Sequence, residues 1–566
     1  MQIHTRHAPL RPLGLLLLTI GLFSPSVLEA QISRLSAHED HWWVDVDAHQ
    51  SLHHALDFIG VAERTLLIAT PQRLDRDAVI PPTVTLWFEN DGALDLGNHA
   101  LEIEGPLRAR RRAIFRTGAG GTVRIGSRAV PAIHPEWWGA MGSAALTSAL
   151  FAAKESGLPV RLAPGAHALE ASVVVPLEAG EQVILLGNND VTLRSTIPEP
   201  ADAGGVLHFI GDATTSLDLR GFAVEHSTSL TVKGDVACVR VEGVGRVDFT
   251  DLRTTGASEM GVRFVGVGSG SVLRLESSQN IYGGIGLKNS SNIQITDGLF
   301  VGNGFFGADG SVNGYGITCG STAPTNRNII IRGNIVRDTV RKAIDVHAGH
   351  NVIIANNRVD GFHEAGIYAM NTSGSKDTRH VQIVGNNVTG HGLATLAPGK
   401  GQGIRIGGYG DAAKFSGGFL VANNLIENTR RAINVENPNS GSTPRRVVIT
   451  GNVVTDGCEG SDAIVYFANH GLPIRDIVIS NNALHAGSTS YGIRVRQGES
   501  ATLTGNTVRV SHGSVLKGIS VPSGVRGLIL GNHVGGDASY ATYIETNSSN
   551  RLRANMGHAS MIADTN

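Results

Sequence analysis

The segment Arg341-Lys342-Ala343-Ile344-Asp345-Val346-His347-Ala348-Gly349 puts two cations, a carboxylate and an imidazole into nine residues of a chain that is only 17% charged. Lys342 is one of just eight lysines. On a strand, Asp345 and His347 would share a face, about 7 Å apart. An imidazole takes up or releases a proton near neutral pH, and a neighbouring carboxylate can orient it or balance its charge. Tyr368 could pass a proton to a leaving oxygen, and Arg405 could grip a carboxylate through two parallel N–H bonds. A base, an acid and a cation together suit removal of a proton beside a carboxylate, with the cation stabilising the enolate that forms. Asp345, His347, Tyr368 and Arg405 are therefore the expected catalytic residues. Arg341, Lys342, His363, Asn434, Glu436, Arg494 and Arg496 are the expected substrate-binding residues.

Those residues meet only if the chain repeats. It does: Asn-x-aliphatic recurs at Asn334, Asn357, Asn386, Asn424, Asn452, Asn482, Asn506 and Asn532, at intervals of 23, 29, 38, 28, 30, 24 and 26 residues. A second element, a small residue followed by Ile, keeps step with it from Gly316-Ile317 through Ala343-Ile344, Gly366-Ile367 and Gly403-Ile404 to Gly518-Ile519. The apolar runs are short and alternate, as strands do, and the Gly, Asn and β-branched content excludes helical repeats. Propeller blades need ~40–45 residues each, more than the shortest interval supplies. Three short strands per coil of about 23 residues, with longer intervals absorbed as loops, describe an all-β, right-handed parallel β-helix. The recurring Asn would stack in a turn and hydrogen-bond from coil to coil. If each Ile points inward, one outward column reads Thr318, Asp345, Tyr368, Arg405, Asn434, Val465, Arg494 and Ser520. The column two residues on carries His347, Met370, Gly407, Glu436, Phe467 and Arg496.

Composition bounds the rest. The chain has 566 residues, 72 Gly, 41% hydrophobic residues and a net charge of −2. It is too apolar for disorder and too balanced for a charge-driven nucleic-acid binder. Cys238, Cys319 and Cys458 are too scattered for a disulfide framework or a Cys-rich metal site, and are expected to be buried. No cofactor or metal is expected; Asp309 and Asp411 lack the ligand spacing of a calcium loop. Residues 1–30 pair a basic start with the apolar run Leu13–Phe23 and a small-residue region ending at Ala30, the pattern of an export signal. The run is shorter than the ~20 residues a span needs, so no membrane span is expected. Residues 31–140 read as an N-terminal β-rich extension. In 141–230, a helix over Ala144 to Ser156, capped by Ser143 and stopped by Gly157, would cover the open end of the first coils. Residues 231–540 form the regular β-helix and 541–566 a tail.

His134-Pro135-Glu136-Trp137-Trp138-Gly139-Ala140, a helix, and then Leu158-Pro159-Val160-Arg161-Leu162-Ala163-Pro164-Gly165 resemble the start of pectate-lyase-superfamily β-helices. Those include bacterial polysaccharide-processing enzymes and phage tailspike depolymerases. The likeness spans residues 130–540 and lacks the acidic residues common between the Trp-Gly-Ala and the helix. Asp345-Val346-His347 is also similar to the Asp-Pro-His of the mannuronan C5-epimerases, without the Pro and with Lys342 where their Tyr stands. The resemblance implies a polysaccharide partner, and the export signal places the mature protein in the periplasm or outside the cell. The leading expectation is a lyase that eliminates beside a uronate carboxylate. An epimerase, a glycosidase or a non-catalytic glycan-binding solenoid are the alternatives. Asp345 and Glu436 lie three coils, roughly 14 Å, apart. That exceeds the ~5–9.5 Å of paired glycosidase carboxylates, so hydrolysis would need a pair such as Asp345 with Glu364.

Produced with normal bacterial export, the mature protein should begin near residue 31. N-terminal sequencing of the exported product checks this, and a product that starts at Met1 would refute it.

Overall fold

The structure, a computed structural model, describes residues 42–564 except 119, 196, 198–203, 228–232, 308–311, 321–325, 372–377, 392–400, 409–416, 438–444, 456–461, 469–474, 487–490, 497–499, 511–513, 522–524, 537–538, 547–550, 554 and 556–561. The expected export signal, Cys458, Asp309 and Asp411 lie outside the described residues. From Pro159–Arg161 onward each coil adds one short strand to each of three parallel sheets in turn. The sheets reach 15, 14 and 15 strands, and the molecule is a right-handed parallel β-helix. Ile317, Ile344, Ile367, Ile404, Ile433 and Ile464 stack in register inside the third sheet, all buried. The small residue before each Ile has a steric cause at the inner corner: a Cβ on Gly366 would lie 2.5 Å from Val388 Cγ1 and 2.9 Å from Phe362 Cε1.

The recurring Asn forms one ladder along the turn between the first and second sheets. The Oδ1 of Asn452 accepts from both the backbone N–H and the Nδ2 of Asn424, at 3.0 and 2.9 Å. Its own Nδ2 donates to Asn482 Oδ1 and to the carbonyl of Val421, both at 2.9 Å. The pattern runs from Asn334 through Asn532 and one rung further, to Asn555. The residue before each rung from Asn334 to Asn532 is Gly or Asn at positive φ, between 54° and 69°. These are the residue types that enter the left-handed region at least cost. Two further polar rungs lie at the other corners of the solenoid: Asn280 on Asn303, and Ser290 on Asn326.

Coiling begins earlier than the repeat suggested. After helix α1 (Leu52–Ile59), strands Arg64–Ile68, Pro71–Arg73 and Ala78–Ile80 open three parallel coils that end at Thr122–Ile125. The expected extension is therefore a short β-helix of its own. Helix α2 (Ser143–Lys154) packs against Thr122–Ile125 on one side and Val173–Pro176 on the other, so it lies between two stacks of coils and not over a free end. Ser143 does not cap it: its hydroxyl donates to Ala171 O at 2.8 Å and accepts from Ala171 N at 3.0 Å. A tertiary contact has taken the side chain that the local pattern assigned to the helix start. The last turn is pinned by the buried pair Lys154–Glu181 at 2.9 Å. The coils also run past residue 541, through Ser539–Thr546 and Arg551–Arg553 to Ile562–Asp564. Cys238 and Cys319 are buried among the coils, and burial pushes the Cys238 thiol up to about 12.

Asn452→Leu should destabilise the protein by roughly 1–3 kcal/mol or more, because Asn424 loses its acceptor inside the turn. Arg337→Leu, on the exposed face, should stay within about 0.5 kcal/mol. Denaturant melts of both variants check this.

Candidate functional site

The third sheet carries the site. Strands Tyr315–Cys319, Lys342–Val346, Ala365–Met370, Gln402–Gly407 and Arg431–Asn437 pair so that Thr318, Asp345, Tyr368, Arg405 and Asn434 are register neighbours. This is the outward column the repeat spacing gives. It continues through Val465 to Arg494 and Ser520. The second column pairs Met370, Gly407, Glu436 and Phe467.

A third column, Tyr315, Lys342, Ala365, Gln402 and Arg431, runs beside it and was not read from the sequence.

Asp345 sits at the centre and is fully buried. It accepts from Thr318 Oγ1 at 2.9 Å, faces His347 Nε2 at 3.3 Å and Lys342 Nζ at 3.4 Å. Lys342 Nζ is also 3.6 Å from Glu364 and lies 3.5 Å over the Tyr368 ring. Glu364, buried as well, holds two more cations: Arg341 Nε at 2.8 Å and Arg405 Nη1 at 3.7 Å. Arg405 Nε reaches Glu436 at 2.8 Å, and Asn434 Nδ2 bridges Gln402 and Glu436 at 2.8 and 2.9 Å. The Tyr368 and Tyr315 rings stand edge-on to His347, at 5.3 and 6.4 Å between centroids. Arg341 Nη1 donates to the Tyr315 hydroxyl at 2.8 Å.

The expected residues thus divide into two layers. Lys342, Asp345, Tyr368 and Asn434 are 4% exposed or less. Lys342 and Asn434 were expected to touch substrate; their burial places them to hold other side chains instead. Arg341, His347, Arg405 and Glu436 reach solvent, with side chains 15–29% exposed. His363 is half-buried against Phe306, their ring centroids 5.7 Å apart. Arg494, packed 3.8 Å over Tyr491, is three coils from Arg405 in the same column, roughly 14 Å along the sheet, and Arg496 lies two residues further along the chain.

Tyr315 and the pivot role of Glu364 escaped the sequence reading. Tyr315 stands in the register of Lys342, outside the column of Asp345, Tyr368 and Arg405, and Glu364 lies at a corner before its strand begins.

Burial sets the proton affinities. It holds the Tyr368 and Tyr315 phenols well above the usual tyrosine range, with Asp345 adding to both. It lowers the Lys342 ammonium, against the opposing pull of Asp345 and Glu364. Among the described residues, no three His, Cys, Asp or Glu side chains gather as a metal-binding group.

Two family models match the coils: "Right handed beta helix region" over residues 225–388, and "Periplasmic copper-binding protein (NosD)" over 384–556. Both descriptions agree with the right-handed parallel β-helix that the chain forms over these residues. No curated protein matches the chain. Solved structures similar to it include the surface protein and adhesin PfbA of Streptococcus pneumoniae, 13% identical over 73% of this chain and 99% of that one, TM-score 0.42. The A-module of the mannuronan C-5 epimerase AlgE6 of Azotobacter vinelandii is 13% identical over 75% and 98%, TM-score 0.36. The Dettilon tailspike protein is 14% identical over 77% and 68%, TM-score 0.36. These likenesses transfer no activity to this chain. Among the described residues, no helix is long and apolar enough to cross a membrane.

Because burial keeps both phenols protonated, neither should titrate where ordinary tyrosines do, near pH 10. Tyr315→Phe and Tyr368→Phe should each leave the ultraviolet phenolate signal at about pH 11 unchanged from the parent protein. A drop of one tyrosine's worth in either variant would show that phenol to be solvated.

Proposed function

We propose that the chain is an exported enzyme that acts on an acidic, uronate-containing polysaccharide by proton abstraction and β-elimination. One observation carries it: His347, partly open to solvent, lies 3.3 Å from a fully buried Asp345 and between two phenols that burial keeps protonated, Tyr315 bonded by Arg341 and Tyr368 with Arg405 over its ring. Arg405 and Arg341 would pair with the uronate carboxylate and neutralise the charge that grows on it. The His347 imidazole would take the C5 proton, and the Asp345 carboxylate would stabilise the imidazolium formed. The electron pair of that C–H bond would become the C4–C5 double bond as the C4–O bond breaks. The departing oxygen would leave as a hydroxyl, with its proton from Tyr368. Lys342 would not touch substrate; its charge offsets Asp345 and Glu364, which otherwise would stand as two buried carboxylates.

Hydrolysis fits this arrangement less well. Asp345 and Glu364 share one ammonium at 3.4 and 3.6 Å and are both nearly sealed from solvent, which suits fixed anions and not an acid and base flanking a glycosidic bond. Export is supported by the apolar N-terminal run and by the periplasmic description of the family matched over 384–556. No metal enters the proposed reaction.

His347→Ala and Arg405→Ala should each lower turnover by about 10²–10⁴-fold with the fold intact, whereas the exposed Arg358→Ala should leave it unchanged. Product formation should raise ultraviolet absorbance through the new double bond. Cleavage without that absorbance would indicate hydrolysis, and inverted uronates without cleavage would indicate epimerisation. Binding without conversion would leave a glycan-binding solenoid and overturn the enzyme.

A further inference from the structure

The three N-terminal coils carry a second charged and aromatic surface, separate in the chain from the site on the third sheet. Trp42 and Trp87 stack with ring centroids 6.1 Å apart and planes 13° from parallel, and Trp42 is 55% exposed. A stacked, solvent-facing indole pair is a costly surface to leave uncovered, and large exposed aromatics mark binding sites. Trp87 is the register neighbour of Arg108 on the next coil, so indole and guanidinium stand side by side on one face. Between these coils lies a cavity of about 260 Å³, in whose lining three arginines, Arg108, Arg110 and Arg112, meet a single carboxylate, Glu89.

The arginine-bearing loop is braced from both sides. Arg112 Nη2 donates to the carbonyls of Glu89 and Gly92 at 3.1 and 3.2 Å, and Trp137 Nε1 donates to the carbonyl of Arg110 at 3.1 Å. Arg112 thus serves the loop, while Arg108 and Arg110 are exposed and their guanidiniums have no ion-pair or hydrogen-bond partner among the described residues. Two unpaired guanidiniums beside a flat apolar face match an anionic sugar: the carboxylate takes the forked N–H donors and the C–H face of the pyranose takes the indole.

We infer that this cleft is a second, non-catalytic binding site for an acidic polysaccharide, which it holds while the third sheet acts on another stretch of chain. The choice of a uronan as its ligand rests on the proposed function; the cleft itself does not. Tethering through a second site raises the local concentration of polymer without any new contact at the reacting residues.

The test uses the full chain in affinity electrophoresis against sodium polygalacturonate and sodium alginate. Dextran serves as the neutral polymer and poly-dT as a polyanion without uronate. Wild type should be retarded by a uronan and not by dextran, and Trp87→Ala with Arg108→Ala should weaken that binding tenfold or more. Turnover of a short oligouronide should be unchanged in the same double variant, because none of these residues touches the third sheet's cluster. Arg108→Gln with Arg110→Gln keeps the indole stack; a several-fold loss in it separates lost recognition from lost folding. His347→Ala should bind as wild type does. Equal uronan binding by all variants, or no uronan binding by wild type, overturns the inference. Binding of poly-dT as tight as that of uronan, lost to the same extent, overturns the glycan assignment. If His347→Ala still converts substrate while the Trp87 variant loses binding, the proposed chemistry falls and the cleft stands.

Discussion

The hydrogen-bonded stacking of coil on coil is the constraint on which everything else in this molecule depends. A solenoid has no loop that can hide its turning backbone in solvent at the buried corner, so those amides need partners inside. The Asn ladder supplies them. Each side chain takes two donors from the coil before and gives its own to the coil after and to a strand carbonyl. Because every rung needs the next at hydrogen-bonding distance, the coils hold one rise and one register however long the loops between them grow. Intervals of 23 and 38 residues therefore end at the same corner.

That register gathers the site. Residues 23 to 37 positions apart along the chain become neighbours about 4.8 Å apart on a flat outer face. Three buried charges, Asp345, Lys342 and Glu364, then form a network whose desolvation cost is offset only when every member is paired. The network fixes positions more than it adds stability. Arg341 and Arg405 are both tethered to Glu364, and His347 is oriented by Asp345, so the parts open to solvent are mostly cationic while the acids that place them lie underneath. A carboxylate arriving there would meet prearranged donors and little competing water.

The N-terminal coils follow the same packing with other means. No Asn ladder runs through them among the described residues; aliphatic stacking and helix α2, wedged between the two stacks, join them to the main solenoid in one continuous core from Val46 to Ile544. Lys154 and Glu181 close that junction with a buried pair. The arrangement joins two faces of different chemistry through one core, aromatic and arginine-rich near the start and mixed-charge farther along.

The sequence by itself determined the solenoid, the ladder and the outward column, because these follow from local periodicity: Gly-Asn or Asn-Asn at each corner and small-Ile at each strand start repeat in the chain wherever they repeat in space. It also brought Asp345, His347, Tyr368 and Arg405 together, since their spacing from the repeating Ile sets their register. What it could not determine was depth. Whether Lys342 faces a ligand or lies beneath Tyr368, whether Ser143 caps its helix or binds Ala171, and whether residues 64–125 are loose strands or coils depend on what packs on the other side. Spacing along one chain says which residues share a face. Only the tertiary structure decides what covers that face, because burial comes from segments distant in sequence and carries no local period.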